Sequence, residues 1–435
     1  MLTWSGIRSG AWSGLAMATA ILATAFLAAS PGWSAEAPLP GMPPVSDAKN
    51  LYADTAAGHL SNAVAGALPR VYVPEHGGNS VSVIDSVTLK VVDHFKAGNR
   101  PQHVIPSWDL KTLWIANNAD DGRGGASLIP IDPKTGKPGS SIKVTDPYNM
   151  YFMPDGSAAI IVSEAHRQLE FRDPHSMAPL YTIPTPDCLG INHADFSIDG
   201  RYAIFSCEFV GAVTKIDLVN RTVVGTLKLS HQGSLAEVSA MTHTRHIVQV
   251  RRGRRGHRFT RMIEISGGGR VGHNMPQDVR ISPDGKVFYV ADMISDGVFL
   301  IDGETFTEIG FIATGPGAHG FCVSRDGRKL YVSNRGSHAM PSGFPNGNGS
   351  VTVIDFATRS IEANWPIPGG GSPDMGAVSA DGKQLWFSGR FDDVVYVIDT
   401  ANGAVTKIKV GSEPHGLSVW PQPGRYSLGH TGNMR

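Results

Sequence analysis

Apolar positions along this chain come in short runs of Val, Ile, Tyr and Phe that alternate with polar residues, and each run stops at a turn-forming pair. The clearest stretch, 277–314, reads QDVRIS, KVFYVAD, GVFLID and EIGFIAT, with Asp284-Gly285 between the first two runs. Period-two alternation bounded by Asp-Gly, Gly-Asn and Ser-Gly is strand chemistry. Asp-Gly closes a tight turn because both residues tolerate positive φ. The stretch therefore predicts four antiparallel strands, and no segment after residue 70 carries a convincing helical period.

The unit repeats. SPDGKVFYVADM (282–293), SRDGRKLYVSNR (324–335) and SADGKQLWFSGR (379–390) are close copies. SWDLKTLWIANN (107–118), MPDGSAAIIVSE (153–164) and SIDGRYAIFSCE (197–208) are weaker ones. Most are followed by an apolar run ending in Ile-Asp: VSVID, VFLID, VTVID, VYVID. A small unit recurring every roughly 40–45 residues predicts a β-propeller, since one unit cannot bury its apolar faces without neighbours on both sides. The turn pairs Asp109-Leu110, Asp155-Gly156, Asp199-Gly200, Asp284-Gly285, Asp326-Gly327, Asp381-Gly382 and Pro423-Gly424 mark seven inner strands. The first copy, from Arg70, lacks an inner strand, and the last, PHGLSVWPQPG, is an inner strand without a blade. The C-terminal strand is expected to close blade one and remove its exposed edge. The predicted fold is all-β: a seven-bladed propeller of four-stranded antiparallel blades over 70–424. Residues 231–273 have neither Asp-Gly nor Ile-Asp and read as an irregular basic insert rather than an eighth blade.

The repeat core x-Y-V-x-N followed by V-x-V-I-D, together with Pro414-His415-Gly416 ahead of the last strand, resembles the YVTN-type seven-bladed propeller family of secreted bacterial proteins. The resemblance covers about 70–424 and implies the fold. The wider superfamily holds haem d1-binding propellers, lactonases, electron-transfer dehydrogenase subunits and adhesion-like surface proteins. No catalytic residue of those groups is carried onto this chain.

The termini and composition narrow the setting. Arg8, the run GLAMATAILATAFLAA and Ala35-Glu36-Ala37 read as a secretory signal over 1–37. Residues 38–69, Pro-rich and then Ala-rich, read as a linker with room for a short helix before blade one, and 425–435 as a C-terminal tail. The expected location is secreted or extracytoplasmic, with no stable membrane span once the signal is cleaved. Net charge is zero, which argues against a nucleic-acid partner. The basic tract Arg251, Arg252, Arg254 and Arg255 reads as a solvated loop. A monomer is expected. Cys188, Cys207 and Cys322 form no CxxC or CxxCH pattern. Cys188 and Cys207 flank one predicted hairpin, yet all three read best as small buried apolar residues.

Candidate chemistry gathers on one face. Loops between blades, and between the second and third strands of a blade, share the face where inner strands begin, here called the top. The long insertions at 120–125, 231–273 and 337–349 all belong there, and insertions on one face mark a binding face. Aligning the copies on their turn pairs, with one extra residue in the turn of the last copy, puts Gln102, Tyr148, Asn192, Gln277, His319, Asp374 and His415 at one position. The next position holds His103, Asn149, His193, Asp278, Gly320, Met375 and Gly416. Both positions border the central channel. His103, His193, His319 and His415 are the candidate cofactor residues, suited to a metal, a haem-like group or an anion. Gln102, Tyr148, Asn192, Gln277, Asp278 and Asp374 are ligand-binding candidates. The same side chains also suit a purely structural role, bonding neighbouring blade backbones. No cofactor is required by the sequence, and no metal ligand set or catalytic residue is assigned. The reading is a binding or scaffold module that engages a protein or small ligand through its top face. A redox or cofactor-handling propeller using the histidines is the alternative, and a lactonase-like hydrolase the third.

Overall fold

Strict alternation gives every strand two apolar faces, and the ring uses both. Blade five runs Pro276–Ile281, Val287–Asp292, Gly297–Asp302 and Thr307–Ala313, paired antiparallel in that order. Val279, Ile281, Phe288, Val290, Phe299 and Ile301 pack toward Ile204 and Val213 of blade four. The intervening Val287, Tyr289, Ala291, Val298 and Leu300 pack toward Phe321, Leu330 and Val332 of blade six. A blade is thus a two-sided wedge, stable only between neighbours. Its outer strand is the exception, made only of exposed and half-buried residues against solvent.

The computed structural model describes residues 37–120, 124–230, 246–252, 258–264, 274–336 and 348–435, with backbone alone described for 246–252 and 258–264. Apart from Ala37, the expected signal segment lies outside the described residues, as do parts of the three top-face insertions. Seven blades surround the channel. Blade two begins at Pro101–Pro106, blade three at Pro147–Phe152, blade four at Ile191–Phe196, blade six at Ala318–Val323 and blade seven at Pro373–Val378. Blade one contains Arg70–Glu75, Ser80–Asp85 and Lys90–Lys96, and its inner strand is the C-terminal Ser418–Trp420. Val71 faces Val419 and Tyr72 faces Ser418 in the antiparallel closure. Within the insert, His246–Arg252 and Arg258–Glu264 pair with each other as a two-stranded sheet and, among the described residues, with no blade strand. The side chains of its basic tract lie outside the described residues.

The recurrent Ile-Asp carboxylates cap turns. Asp302 Oδ1 accepts from the backbone N–H of Glu304 and Thr305 at 3.1 and 2.8 Å. Asp85, Asp217, Asp355 and Asp399 repeat the pattern.

Three expectations change. Cys188 and Cys207 are not separate buried thiols but a disulfide, with Cα atoms 4.9 Å apart; Cys322 alone is free and buried. Residues 38–69 contain two short 3-10 turns, in keeping with a short helical stretch, but are not a free linker: they lie along the bottom of the ring. Leu39 N–H donates to Asp199 O, Leu51 N–H to Pro283 O, and the Tyr52 hydroxyl to Ile281 O at 2.7 Å. The Asp-Gly turns leave backbone carbonyls exposed at the bottom, and this segment satisfies them. Residues 425–435, read as a tail, fold back into the channel from below. Ser427–Gly429 extends the sheet of blade three beside Tyr151 and turns at His430 to Gly432 into Asn433–Met434. The Arg435 guanidinium then pairs with Asp195 at 2.9 Å.

Deleting 413–435 removes the buried Leu417, Val419 and Trp420 and bares the edge at Val71 and Tyr72. The truncated protein is expected to aggregate or to lose its cooperative thermal transition; an unchanged Tm contradicts ring closure as the source of stability. The Cys188–Cys207 bond spans a sequence separation of 19. Replacing both cysteines by serine should cost about 3 kcal/mol in denaturant unfolding, and a loss near zero would show that the loop is already held by packing.

Candidate functional site: a histidine cluster in the channel

In blades two to seven the inner strand begins with an irregularity that aims its side chains inward. In blade four Ile191 pairs with Cys207 but Ala194 pairs with Phe205, so Asn192 and His193 together oppose one residue, Ser206. The same shift occurs at Pro101/His103, Pro276/Val279, Ala318/Phe321 and Pro373/Gly376. A β-bulge twists the strand and re-aims the extra residue, and here it turns the second and third positions of the inner strands to the channel. A serine on the adjacent strand satisfies the freed backbone. His193 N–H donates to Ser206 Oγ at 3.1 Å, Gly320 N–H donates to Ser333 Oγ at 2.8 Å, and Ser388 Oγ–H donates to Met375 O at 3.1 Å.

His103 and His193 meet in the channel with ring centroids 5.4 Å apart. The third member is His430, carried up from below by the C-terminal hairpin: it lies 4.5 Å from His193 and 5.2 Å from His103, centroid to centroid. One ring nitrogen from each of the three falls within a 4.8 Å set, and all three residues are buried. The Asn149 side-chain amide abuts Nδ1 of His193 at 3.2 Å and Nδ1 of His430 at 3.0 Å, which fixes both rings. Asp278 Oδ1 lies 3.2 Å from His430 Nε2. Both nitrogens of His103 and Nε2 of His193 are buried without a hydrogen-bond partner. Glycine is required at 416 because a Cβ there would collide with His103 Nδ1. Burial pushes the pKa of His103, His193 and His430 well below the usual imidazole value, and the neighbouring imidazoles add to the effect for His103 and His193, so all three are neutral near pH 7. A cluster of neutral imidazoles with unpartnered nitrogens is the donor set of a borderline transition-metal ion.

His319 and His415 belong to a second network centred on Asp374. His415 Nδ1 lies 2.9 Å from Asp374 Oδ2, and His319 Nδ1 and Arg335 Nη2 lie 2.7 and 2.9 Å from Asp374 Oδ1. Burial alone would raise Asp374, but Arg335, His319 and His415 hold its carboxyl well below the carboxylate range. Burial lowers His319 to about 4 and holds His415 well below the usual imidazole value, against the pull of the same carboxylate. The network is therefore an Asp–Arg ion pair flanked by two neutral imidazoles. His415 also stands 4.8 Å from His103, centroid to centroid, linking the two groups.

The structure thus places His103, His193, His319 and His415 in one channel but in two sets. Asp278 sits at the level of the three-histidine set, and Tyr148 leans edge-on against both His103 and His193 at 5.7 Å. Asn192 donates to Glu208 at 3.0 Å, Gln102 faces Arg390 at 3.5 Å, and Gln277 donates to Met275 O at 3.3 Å. Sequence reasoning missed His430. Its flanks hold the signal: Gly429 and Gly432 both have positive φ, and a side chain at Gly429 would strike Met150 O, so the segment is built for a tight turn against an inner strand.

Fold and channel together define a seven-bladed β-propeller with its titratable chemistry gathered on the axis. Residues 269–423 match the family described as YNCE-like beta-propeller, and this match and the architecture fit the YVTN-type repeat family. No curated protein matches the chain. Among solved structures it is similar to hydrazine synthase of Kuenenia stuttgartiensis, at 17% identity and TM-score 0.52 over 72% of this chain and 87% of that one. It is also similar to the dihydro-haem d1 dehydrogenase NirN in complex with DHE, at 15% identity and TM-score 0.53 over 81% and 75%. A functionally unknown protein from Desulfotomaculum acetoxidans DSM 771 matches at 14% identity and TM-score 0.54 over 80% and 98%. At these identities the likeness is one of fold.

Removing the shared carboxylate by Asp374→Asn leaves the buried Arg335 charge uncompensated. The expected loss is about 3–5 kcal/mol at neutral pH, and Asp374→Asn with Arg335→Gln should cost less than the sum of the single changes. Because the folded-state pKa of Asp374 is depressed, its contribution is full above the ordinary carboxylate range and fades only as pH falls toward the depressed value. Denaturant unfolding across acidic pH checks both; an additive, pH-independent pair of losses contradicts the network.

Proposed function

We propose that this protein is an extracytoplasmic propeller that holds a transition-metal ion on its axis through His103, His193 and His430 and presents it toward the top mouth. The observation that carries the reading is the convergence of three buried neutral imidazoles from three separate parts of the chain, with the nitrogens of His103 and Nε2 of His193 lacking partners. Leaving such groups unmet in a dry interior is costly, and a bound ion would satisfy them together. Asn149 would orient the His193 and His430 rings at Nδ1, and His430 Nε2, 3.2 Å from Asp278 Oδ1 but not hydrogen-bonded to it, would be the nitrogen offered to the ion. Ring spacings of 4.5–5.4 Å suit an ion between the imidazoles rather than a haem plane. The extracytoplasmic location is supported by the signal-like residues 1–37 and by the Cys188–Cys207 disulfide.

The test is elemental analysis of the purified full-length protein, followed by reconstitution with Zn(II) and Co(II). About one equivalent of metal per chain is expected, with the d–d bands of a nitrogen-rich low-coordinate Co(II) site. His103→Ala, His193→Ala and His430→Ala should each abolish stoichiometric binding. His319→Ala should retain the metal, since its ring is committed to Asp374. Absence of metal in the parent, with no uptake on reconstitution, rejects the reading. The cluster would then be a hydrogen-bonded lock on the C-terminal hairpin through His430 and Asn149, and a top-face scaffold becomes the better account.

A further inference from the structure

A second ring of equivalent positions lies one step beyond the second strand of each blade, at the top mouth. Glu164 follows Ala159–Ser163 in blade three and Glu208 follows Tyr202–Cys207 in blade four. Across the ring, Arg335 follows Lys329–Asn334 in blade six and Arg390 follows Gln384–Gly389 in blade seven. Met293, His76 and Asn118 complete it on blades five, one and two. The mouth is thus polarised, with an acidic arc facing a basic one.

Most of its polar groups are already satisfied. Arg335 is neutralised by Asp374, and His76 sits between Glu413 at 3.0 Å and Asp120 at 3.2 Å. Arg390 differs. It is only 8% exposed, and among the described residues its guanidinium makes one side-chain contact, to Gln102 Oε1 at 3.5 Å, with no carboxylate in ion-pair range. Asn118, two blades along at the same ring position, buries its Nδ2 without an acceptor. Two buried donors on one side of the mouth therefore lack the same thing. A buried guanidinium with no carboxylate in contact, only the charge of Glu413 at longer range, is costly and suits a ligand's anion.

We infer that the channel mouth binds a small organic monocarboxylate, its carboxylate held by Arg390 and Asn118 beside Gln102. A fork of guanidinium N–H groups matches a carboxylate in two parallel bonds. Burial and the neighbouring Glu208 push the Glu164 carboxyl well above its usual range, so it is the Glu208 side of the mouth that disfavours a dianion such as phosphate and favours a single negative charge. Tyr148, edge-on to His103 and His193, borders the histidine cluster. The inference goes beyond the metal reading and does not require it.

The test uses metal-free full-length protein, titrated calorimetrically with sodium acetate and sodium propionate, and with sodium phosphate at matched ionic strength. Saturable carboxylate binding is expected, weakened about tenfold or more by Arg390→Gln and less by Arg390→Lys or Asn118→Ala. In anion-free buffer Arg390→Gln should melt no lower than the parent, because it removes an uncompensated buried charge; a structural arginine would show the opposite. Metal content measured in parallel should be unchanged by Arg390→Gln. Carboxylate binding that survives Arg390→Gln but requires added metal would mean coordination to the ion alone and overturn the inference while leaving the metal reading intact. No saturable acetate or propionate binding, phosphate binding as tight as acetate, or a lowered melting temperature for Arg390→Gln would each overturn it.

Discussion

Ring closure is the constraint on which the rest of this molecule depends. Each blade has two apolar faces and no stability of its own, so one missing contact leaves two faces and a strand edge open to water. The closure is short: three residues, Ser418–Trp420, paired with Arg70–Tyr72. Its strength comes from what those residues carry. Trp420 is packed with Tyr72, Val104 and Ile115, while Leu417 and Val419 pack with Val71, Val73 and Trp386. Blades one, two and seven are thereby joined through side chains of the last inner strand.

Closure also makes the channel a place where polar groups must answer to one another. Buried carboxylates reach from one inner strand to the next: Asp195 Oδ2 accepts from Ile281 N–H and Asp278 Oδ2 from Phe321 N–H, both at 2.9 Å. These bonds replace water that cannot enter and fix the angle between neighbouring blades. Against this background of satisfied groups, the unpartnered nitrogens of His103 and His193 stand out, as does the unneutralised Arg390. The axis is held together by complete pairings, and its incomplete ones are local.

Much of this was legible in the sequence because a repeat protein states its rule several times. Alternation, the Asp-Gly turns and the Ile-Asp caps follow local chemistry, so the blades, their number and the closure from Ser418 could be read directly. Alignment of the copies also put Gln102, His103, His193, His319, Asp374 and His415 at the channel, since a position in one blade is a position in all. What could not be read is whatever has no second copy. The hairpin carrying His430 occurs once, lacks strand alternation and owes its place to contacts with Tyr151, Asn149 and Asp195. The segment 38–69 is likewise unique, and its Pro and Ala content gave no hint that it would cap the carbonyls of distant turns. The Cys188–Cys207 bond needed the actual bend of the chain ahead of Ile191. The division of the histidines into two sets depended on where one carboxylate, Asp374, points.

The C-terminal residues tie the fold to the site in a way the repeats alone do not. The strand that closes blade one and the hairpin that brings His430 to His103 and His193 are separated by only Pro421 to Tyr426. This connection is itself anchored: Gln422 donates to Val378 O and Val419 O, and Gly424 N–H donates to His59 O. The hairpin therefore cannot leave the channel without pulling on the closure, and an open ring cannot present the third histidine. Integrity of the circle and assembly of the cluster are one structural event, which explains how groups from blades two and four and from the end of the chain meet on the axis with so little sequence to announce it.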